Sequence, residues 1–295
     1  MIENNGQILY LYDAKLTNPN GDPDEENKPR MDYERDINLV SDLRLKRYIR
    51  DYFLDRGHEL YVQKVDGAPV TSEVRIKDFD KNEDVVKAVL DKFIDVRLFG
   101  ATITAKKDNH SITGPVQFNW GYSLHQVTLL ESSITSHFSS GEKKSQGSIG
   151  KDYRVQYSLL AFSGVISAKR AEYTGLSDGD IALLDEAMVK AIPLLATRSK
   201  VGQQPRLYLR LELKDKETVL KDLRNYIDFK PGEENIRNIS EYDLEIGRLC
   251  RYLDEQSSKI SRIVYFVDED LKLQRDENPV MLEEYLKGFN SLKLC

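Results

Sequence analysis

The chain has little of what catalytic and metal-holding sites are usually built from. Its two cysteines, Cys250 and Cys295, lie far apart in no pairing pattern. That suits free thiols in a reducing compartment, so a cytoplasmic location is expected. The four histidines, His58, His110, His125 and His137, show no ligand spacing, and two cysteines cannot complete a zinc site. No G-x-S-x-G elbow, Walker A loop or G-x-G-x-x-G fingerprint occurs. No apolar run nears the ~18 residues of a membrane span. The opening residues, MIENNGQILYLYDAK, lack the basic and apolar regions of a secretory signal. Without a nucleophile constellation or a cofactor motif, the residues lean toward binding rather than catalysis, with no cofactor and no metal expected.

What is present is an ordinary globular composition with an uneven charge. Of 295 residues, 40% are hydrophobic and 31% charged, enough for a sizeable core. The net charge is −6, and residues 212–287, with 19 acidic and 13 basic side chains, carry all of it. The rest is neutral overall and holds local basic clusters. A phosphate backbone responds to the field within a Debye length of about 10 Å, so overall acidity does not exclude a nucleic-acid partner.

Periodicity orders the elements. GQILYLYDAK (6–15) alternates as a strand. DINLVSDLRLKRYIRDYFLDRG (36–57) reads as a helix with Asp36 as N-cap and Gly57 as its stop. Leu45, Tyr48, Ile49, Tyr52 and Phe53 fall on one half of it; Lys46, Arg47, Arg50 and, more loosely, Arg44 on the other. Residues 58–113 read as an insertion with a short strand (ELYVQKV) and a helix over 82–100. Residues 114–131 and 153–167 read as strands. Between them, 132–152 is rich in Ser, Gly and Lys and reads as an exposed hairpin or loop. A helix is expected over 176–199, capped by Ser177 or Asp178, then a strand in QQPRLYLRLELK, and further helices and a strand (262–269) in the tail. Without the insertions the order is βαββαβ, which makes the expected class α+β with a ferredoxin-like plan.

Three stretches carry candidate sites. TNPNGDPDEENKPRMD (17–32) gathers Asn18, Asn20, Asp22, Asp24 and Asp32 about Gly21. It fails as an EF-hand, because with Gly21 at the sixth position the first is Leu16 and the last Asn27. It is then either a looser acidic metal site or, the favoured reading, a turn that brings backbone close to something else. The basic helix is either a solvated charged face or, with backbone N–H groups at its start, a phosphate cradle. Lys143, Lys144, Lys151 and Arg154 lie in the Gly-rich stretch, and Arg198, Lys200 and Arg206 form a third small cluster.

Together, TNPNGDPDEENKPRMD, VSDLRLKRYIRDYF, GPVQFNWGYSLH and SITSHF with GSIGKDYRVQYSLLAFSGVISAKRAEYTGLSDGDIALLDEAM resemble the Cas7 family, the CRISPR-associated backbone subunits of type I Cascade complexes. The resemblance runs from about residue 7 to 213 and is nearest to type I-B, with type I-C as a close relative. It implies an RRM-like palm (1–57 and 114–214), a fingers insertion (58–113), a thumb loop (131–152) and a C-terminal α/β extension packed on the palm (215–295). It implies an antiviral, RNA-binding subunit that repeats as a helical filament along the CRISPR RNA spacer and leaves bases free to pair with target DNA. Its partners would be CRISPR RNA, further copies and other Cascade subunits, with no membrane. Matched residue by residue, Ser41, Lys46, Arg47 and Arg50 fall on the phosphate-contacting helix, and Arg44 joins them on physical grounds. Asn20, Gly21 and Asp22 fall on the palm loop, and Ser148, Gly150 and Lys151 on the thumb's return. Lys143, Lys144, Arg198 and Lys200 complete the expected RNA-binding set from the basic clusters. The sheet lacks the aromatic motif by which RNA-recognition domains stack bases, which fits gripping without sequence preference. An alternative from a related class is a metal-dependent target-RNA endoribonuclease using Asp22 or Asp24.

Overall fold

The computed structural model describes residues 1–65, 67–79, 84–105, 108–135 and 149–295, and it is a mixed α+β protein built on one central sheet. The elements that position the site are β1 (Gly6–Thr17), β2 (Ile37–Val40), α1 (Asp42–Asp55), α2 (Val85–Lys92) and α3 (Ile94–Phe99). They continue with β3 (Val116–Phe118), β4 (Gly121–Ser123), β5 (Leu129–Thr135), β6 (Ile149–Ile166), α4 (Asp178–Leu194), β7 (Gln203–Leu213) and β8 (Ile260–Val267). Across the sheet the order is β8, β7, β1, β6, β4, β2, and β3 and β5 also pair with β6. β1 is central and antiparallel to both neighbours, Tyr10 lying opposite Phe162 on one side and Tyr208 on the other.

Two apolar layers sandwich β1. Ile8, Tyr10 and Tyr12 face α1 and α4, packing with Leu45, Ile49, Leu184 and Met188. Leu9 and Leu11 point the opposite way, onto Leu223, Leu244, Leu249 and Leu253 of the C-terminal region. The Leu/Tyr alternation therefore reads two buried faces rather than one buried and one wet. The sheet face that an RNA-recognition domain leaves open is covered here. A third, small cluster of Tyr61, Val89, Phe93, Val96 and Ile103 holds the 58–113 region together.

Several elements differ from their sequence reading, each for a local reason. α1 starts at Asp42 with Ser41, not Asp36, as its cap, because residues 37–40 are drawn into a strand between β4 and Met31–Asp32. Helix 82–100 breaks at Phe93, whose extended backbone lets its ring enter the small cluster. The strand expected at 59–65 is not formed; the Tyr61 and Val62 N–H groups donate to the Asp95 carboxylate instead. Residues 114–131 divide among β3, β4 and β5. Ser177 caps α4 in a reciprocal capping box with Asp180. β5 and the start of β6 form paired arms, Leu129 opposite Val155 and Ile134 opposite Gly150. Residues 136–148, with Lys143, Lys144 and Ser148, lie outside the described residues.

Candidate nucleic-acid interface

The loop after β1 is a folded strap. Gly21 is required by close approach, since a Cβ there would stand 1.9 Å from Asn27 Oδ1. Asn18 Nδ2 donates to the Asn27 carbonyl at 2.7 Å and closes the strap from inside. Asp22 accepts from Arg30 Nη1 at 2.7 Å and from the Asp24 N–H at 3.1 Å. Its carboxylate is thus engaged in holding the turn. Among the described residues, no group of three His, Cys, Asp or Glu side chains could hold a metal ion.

The strap is bolted to the start of α1. Asn20 Oδ1 accepts from both the Ser41 N–H, at 2.9 Å, and the Ser41 hydroxyl, at 3.0 Å. Ser41 Oγ in turn accepts from the Arg44 N–H. One amide side chain therefore sets the height of the strap against the helix N-terminus. Arg44 lies over the Tyr48 ring, 4.1 Å from its centroid, with its Nε buried and without a partner among the described residues.

Two distant segments close on the same strap. The Lys200 ammonium donates to the carbonyls of Asn18 and Pro19. Burial and the nearby Arg44 guanidinium lower its pKa to about 7. Arg198, largely exposed, reaches Asp152 at 3.3 Å; Arg154 pairs with the same carboxylate and donates to the Leu16 carbonyl. Lys151 sits between Glu131 and Glu26, and Tyr153 donates to Glu26 at 2.6 Å. Contact with Tyr153 and then Glu131 raises the Lys151 pKa. Gly150 lies beside Ile134, which a Cβ there would only touch.

The helix itself is not the uniform cationic face that its sequence suggests. Lys46 is buried, with its ammonium on Gln117 at 2.8 Å and Asp42 at 3.1 Å. Arg50 is buried on Asp95. Arg47 pairs with Asp51 and is the more accessible of the three. The acids that offset this face come partly from α1 itself and partly from Asp95, far along the chain. Arg206 leaves its sequence neighbours altogether, pairing with Asp13 at 2.9 Å and Asp268 at 2.6 Å. The structure thus brings together Asn20, Gly21, Asp22, Ser41, Arg44, Lys151, Arg198 and Lys200 at or beside one strap, leaves Gly150 on the arm paired with Ile134, and sets Lys46 and Arg50 inside. Sequence reasoning missed Arg30 and Trp120 beside the strap, Arg30 lying 6.0 Å from the Trp120 ring centroid. The P-R-M-D and N-W-G runs were the available signal.

Most cations at the strap's surface are paired with partly exposed carboxylates. Such pairs contribute about 0–1 kcal/mol, so an incoming phosphate exchanges with them at little cost. A strap of backbone and cations at a helix start suits holding a polyanion by its backbone.

Comparison with known proteins gives the family. The family model described as CRISPR-associated protein Cas7 matches residues 4–247. The CRISPR-associated protein Cas7 of Haloferax volcanii is 32% identical over 313 residues, covering 96% of this chain and 92% of the relative. The chain belongs to the Cas7 family. Among solved structures, a chain of a CRISPR RNA-guided surveillance complex in a pre-nicking state is similar with a TM-score of 0.52 at 12% identity, over 92% of this chain and 96% of that one. A chain of another CRISPR RNA-guided surveillance complex reaches 0.51 at 14% identity, over 96% and 99%. At these identities the likeness is one of fold. No helix of the described residues is long and apolar enough to cross a membrane.

Proposed function

We propose that the protein is a non-catalytic RNA-binding subunit that repeats along the spacer of a CRISPR RNA. It would form the backbone of a type I Cascade complex, of the I-B or I-C kind, in the cytoplasm. Target DNA is met through pairing with the guide, and the other partners are further copies and the remaining Cascade subunits. Membership of the Cas7 family supports this, and the surveillance complexes that share the fold agree with it. The observation that carries the site is convergence: the N-terminus of α1, Lys200, and the Lys151 and Arg154 segment, separate in sequence, meet at the strap and the β1 end that leads into it. The covered sheet face favours an RNA path along this edge rather than across the strands.

In this reading the ferredoxin-like palm is the core β7-β1-β6-β4 with α1 and α4 on one face, an order in keeping with the βαββαβ plan. Residues 58–113 are the fingers, 131–152 the thumb that closes over a neighbouring copy, and 215–295 the extension. Asp22 positions Arg30 instead of holding a metal.

The test is binding of unrelated single-stranded RNAs of equal length across a salt series. Affinities should be alike, and log affinity should fall by ~0.7 per neutralised phosphate for each unit of log salt. Arg44→Ala with Arg198→Ala should weaken every RNA and flatten the slope by roughly 1.4 if each meets one phosphate. A strong preference for one sequence overturns the reading. So does regular cleavage of complementary RNA in Mg²⁺ that Asp22→Ala abolishes.

A further inference from the structure

Trp120 is the single tryptophan of the chain, and it is 44% exposed. Its backbone is held from several sides. The Trp120 N–H donates to Asn119 Oδ1 at 2.8 Å, and its carbonyl accepts from Arg224 Nη1 at 2.9 Å. Arg224 is itself buried, pinned by Asp222 at 2.6 Å and lying over the Tyr122 ring. The following residue must be glycine, because a Cβ on Gly121 would stand 2.3 Å from the Phe162 ring. The indole, by contrast, makes no hydrogen bond through its Nε1 among the described residues.

Its surroundings are those of the strap. β2 pairs with β4 so that Val40 lies opposite Gly121, which brings Trp120 level with Ser41, the cap of α1. Over its ring, 6.0 Å from the centroid, is the guanidinium of Arg30, with Nη1 on Asp22 and a buried Nε that has no partner among the described residues. Arg30 also donates its N–H to the Asn20 carbonyl. A rigidly mounted, half-wet aromatic ring therefore adjoins a guanidinium at the edge where the cations converge.

We propose that Trp120 is a stacking platform for one nucleobase of the bound single strand, with the Arg30 guanidinium over the ring as its charged neighbour. This rests on the RNA-binding reading and deepens it. Phosphate contacts would set the path of the strand, and the indole would hold one base out of it. Stacking on an indole is tolerant of sequence, because every base has a π-face, so it is compatible with a guide that changes. The adjacent cations favour a base over an apolar side chain of a partner protein, which would leave Arg30 desolvated and poorly satisfied.

A lone tryptophan makes the test direct. Its emission is followed in the full-length protein during titration with oligouridine and with oligoadenosine, while RNA binding is measured separately by anisotropy of a labelled strand. Stacking predicts quenching that tracks binding for both. Trp120→Ala should lose about tenfold in affinity, Trp120→Phe much less. An abasic ribose-phosphate strand should bind wild type and Trp120→Ala equally, a result that a merely structural role would not produce. Circular dichroism of both variants checks that they fold, and the emission arm needs no variant. If RNA binds without changing the emission and Trp120→Ala binds as wild type does, the stacking proposal is wrong while RNA binding stands. If no RNA binds, both fall.

Discussion

Arg50→Ala separates a buried structural cation from a phosphate contact. Arg50 is 8% exposed and Asp95 is fully buried, with Nε and Oδ2 3.0 Å apart. The same carboxylate accepts from the Tyr61 N–H at 2.9 Å and the Val62 N–H at 3.1 Å, so it ties residues 61–62 to α1. The guanidinium also covers the Phe99 ring, 5.1 Å from its centroid. Removing one partner of a buried pair costs ~3–5 kcal/mol, because the other charge stays buried. Asp95 keeps two backbone donors, which points to the lower end, ~3 kcal/mol. At ~2–4 °C per kcal/mol for a chain this large, Tm should fall by roughly 6–12 °C. Urea unfolding and thermal melts give the magnitude, and hydrogen exchange should show earlier opening at 59–65. Arg50→Ala with Asp95→Asn should recover part of the loss, since no charge is left stranded. The reasoning is refuted if Arg50→Ala costs under ~1 kcal/mol, the range of an exposed pair, and yet weakens RNA binding as Arg47→Ala does.

Two further perturbations probe the strap. Asn20→Ala removes the acceptor shared by the Ser41 N–H and hydroxyl and should cost ~1–2 kcal/mol; Asn20→Asp, which keeps that oxygen, should restore stability in urea titrations but lower RNA affinity through its charge, and equal stability of all three would discount the coupling. Lys200 has a folded pKa lowered to about 7, below the ~10.4 of an unfolded lysine, so between these values the unfolded chain binds more protons and stability rises with pH, by up to ~1.4 kcal/mol per unit. The stability difference between wild type and Lys200→Met should therefore shift in favour of wild type as pH rises from about 7 to about 9, and parallel curves would mean that Lys200 does not titrate there.

What the sequence by itself determined was local. The apolar period of α1, the Leu/Tyr run of β1, a cap at Ser177 or Asp178, which the fold places at Ser177, and the strand at 203–213 depend on neighbours within a turn or on a period of two, and each formed as its pattern indicates. Gly21 was legible as a point of close approach, although Asn27 as the atom approached was not. Tertiary structure decided the rest, through partners remote in the chain. Asp95 turns Arg50 inward, and Gln117 does the same for Lys46. Asp13 and Asp268 draw Arg206 to the far side of the sheet, while Lys200, six residues earlier, turns to the strap. Helical periodicity set Lys46 and Arg50 on a surface by angle alone, and proximity in sequence grouped Lys200 with Arg206, but a charge goes where a counter-charge and hydrogen-bond partners offset its desolvation, and only the fold supplies those.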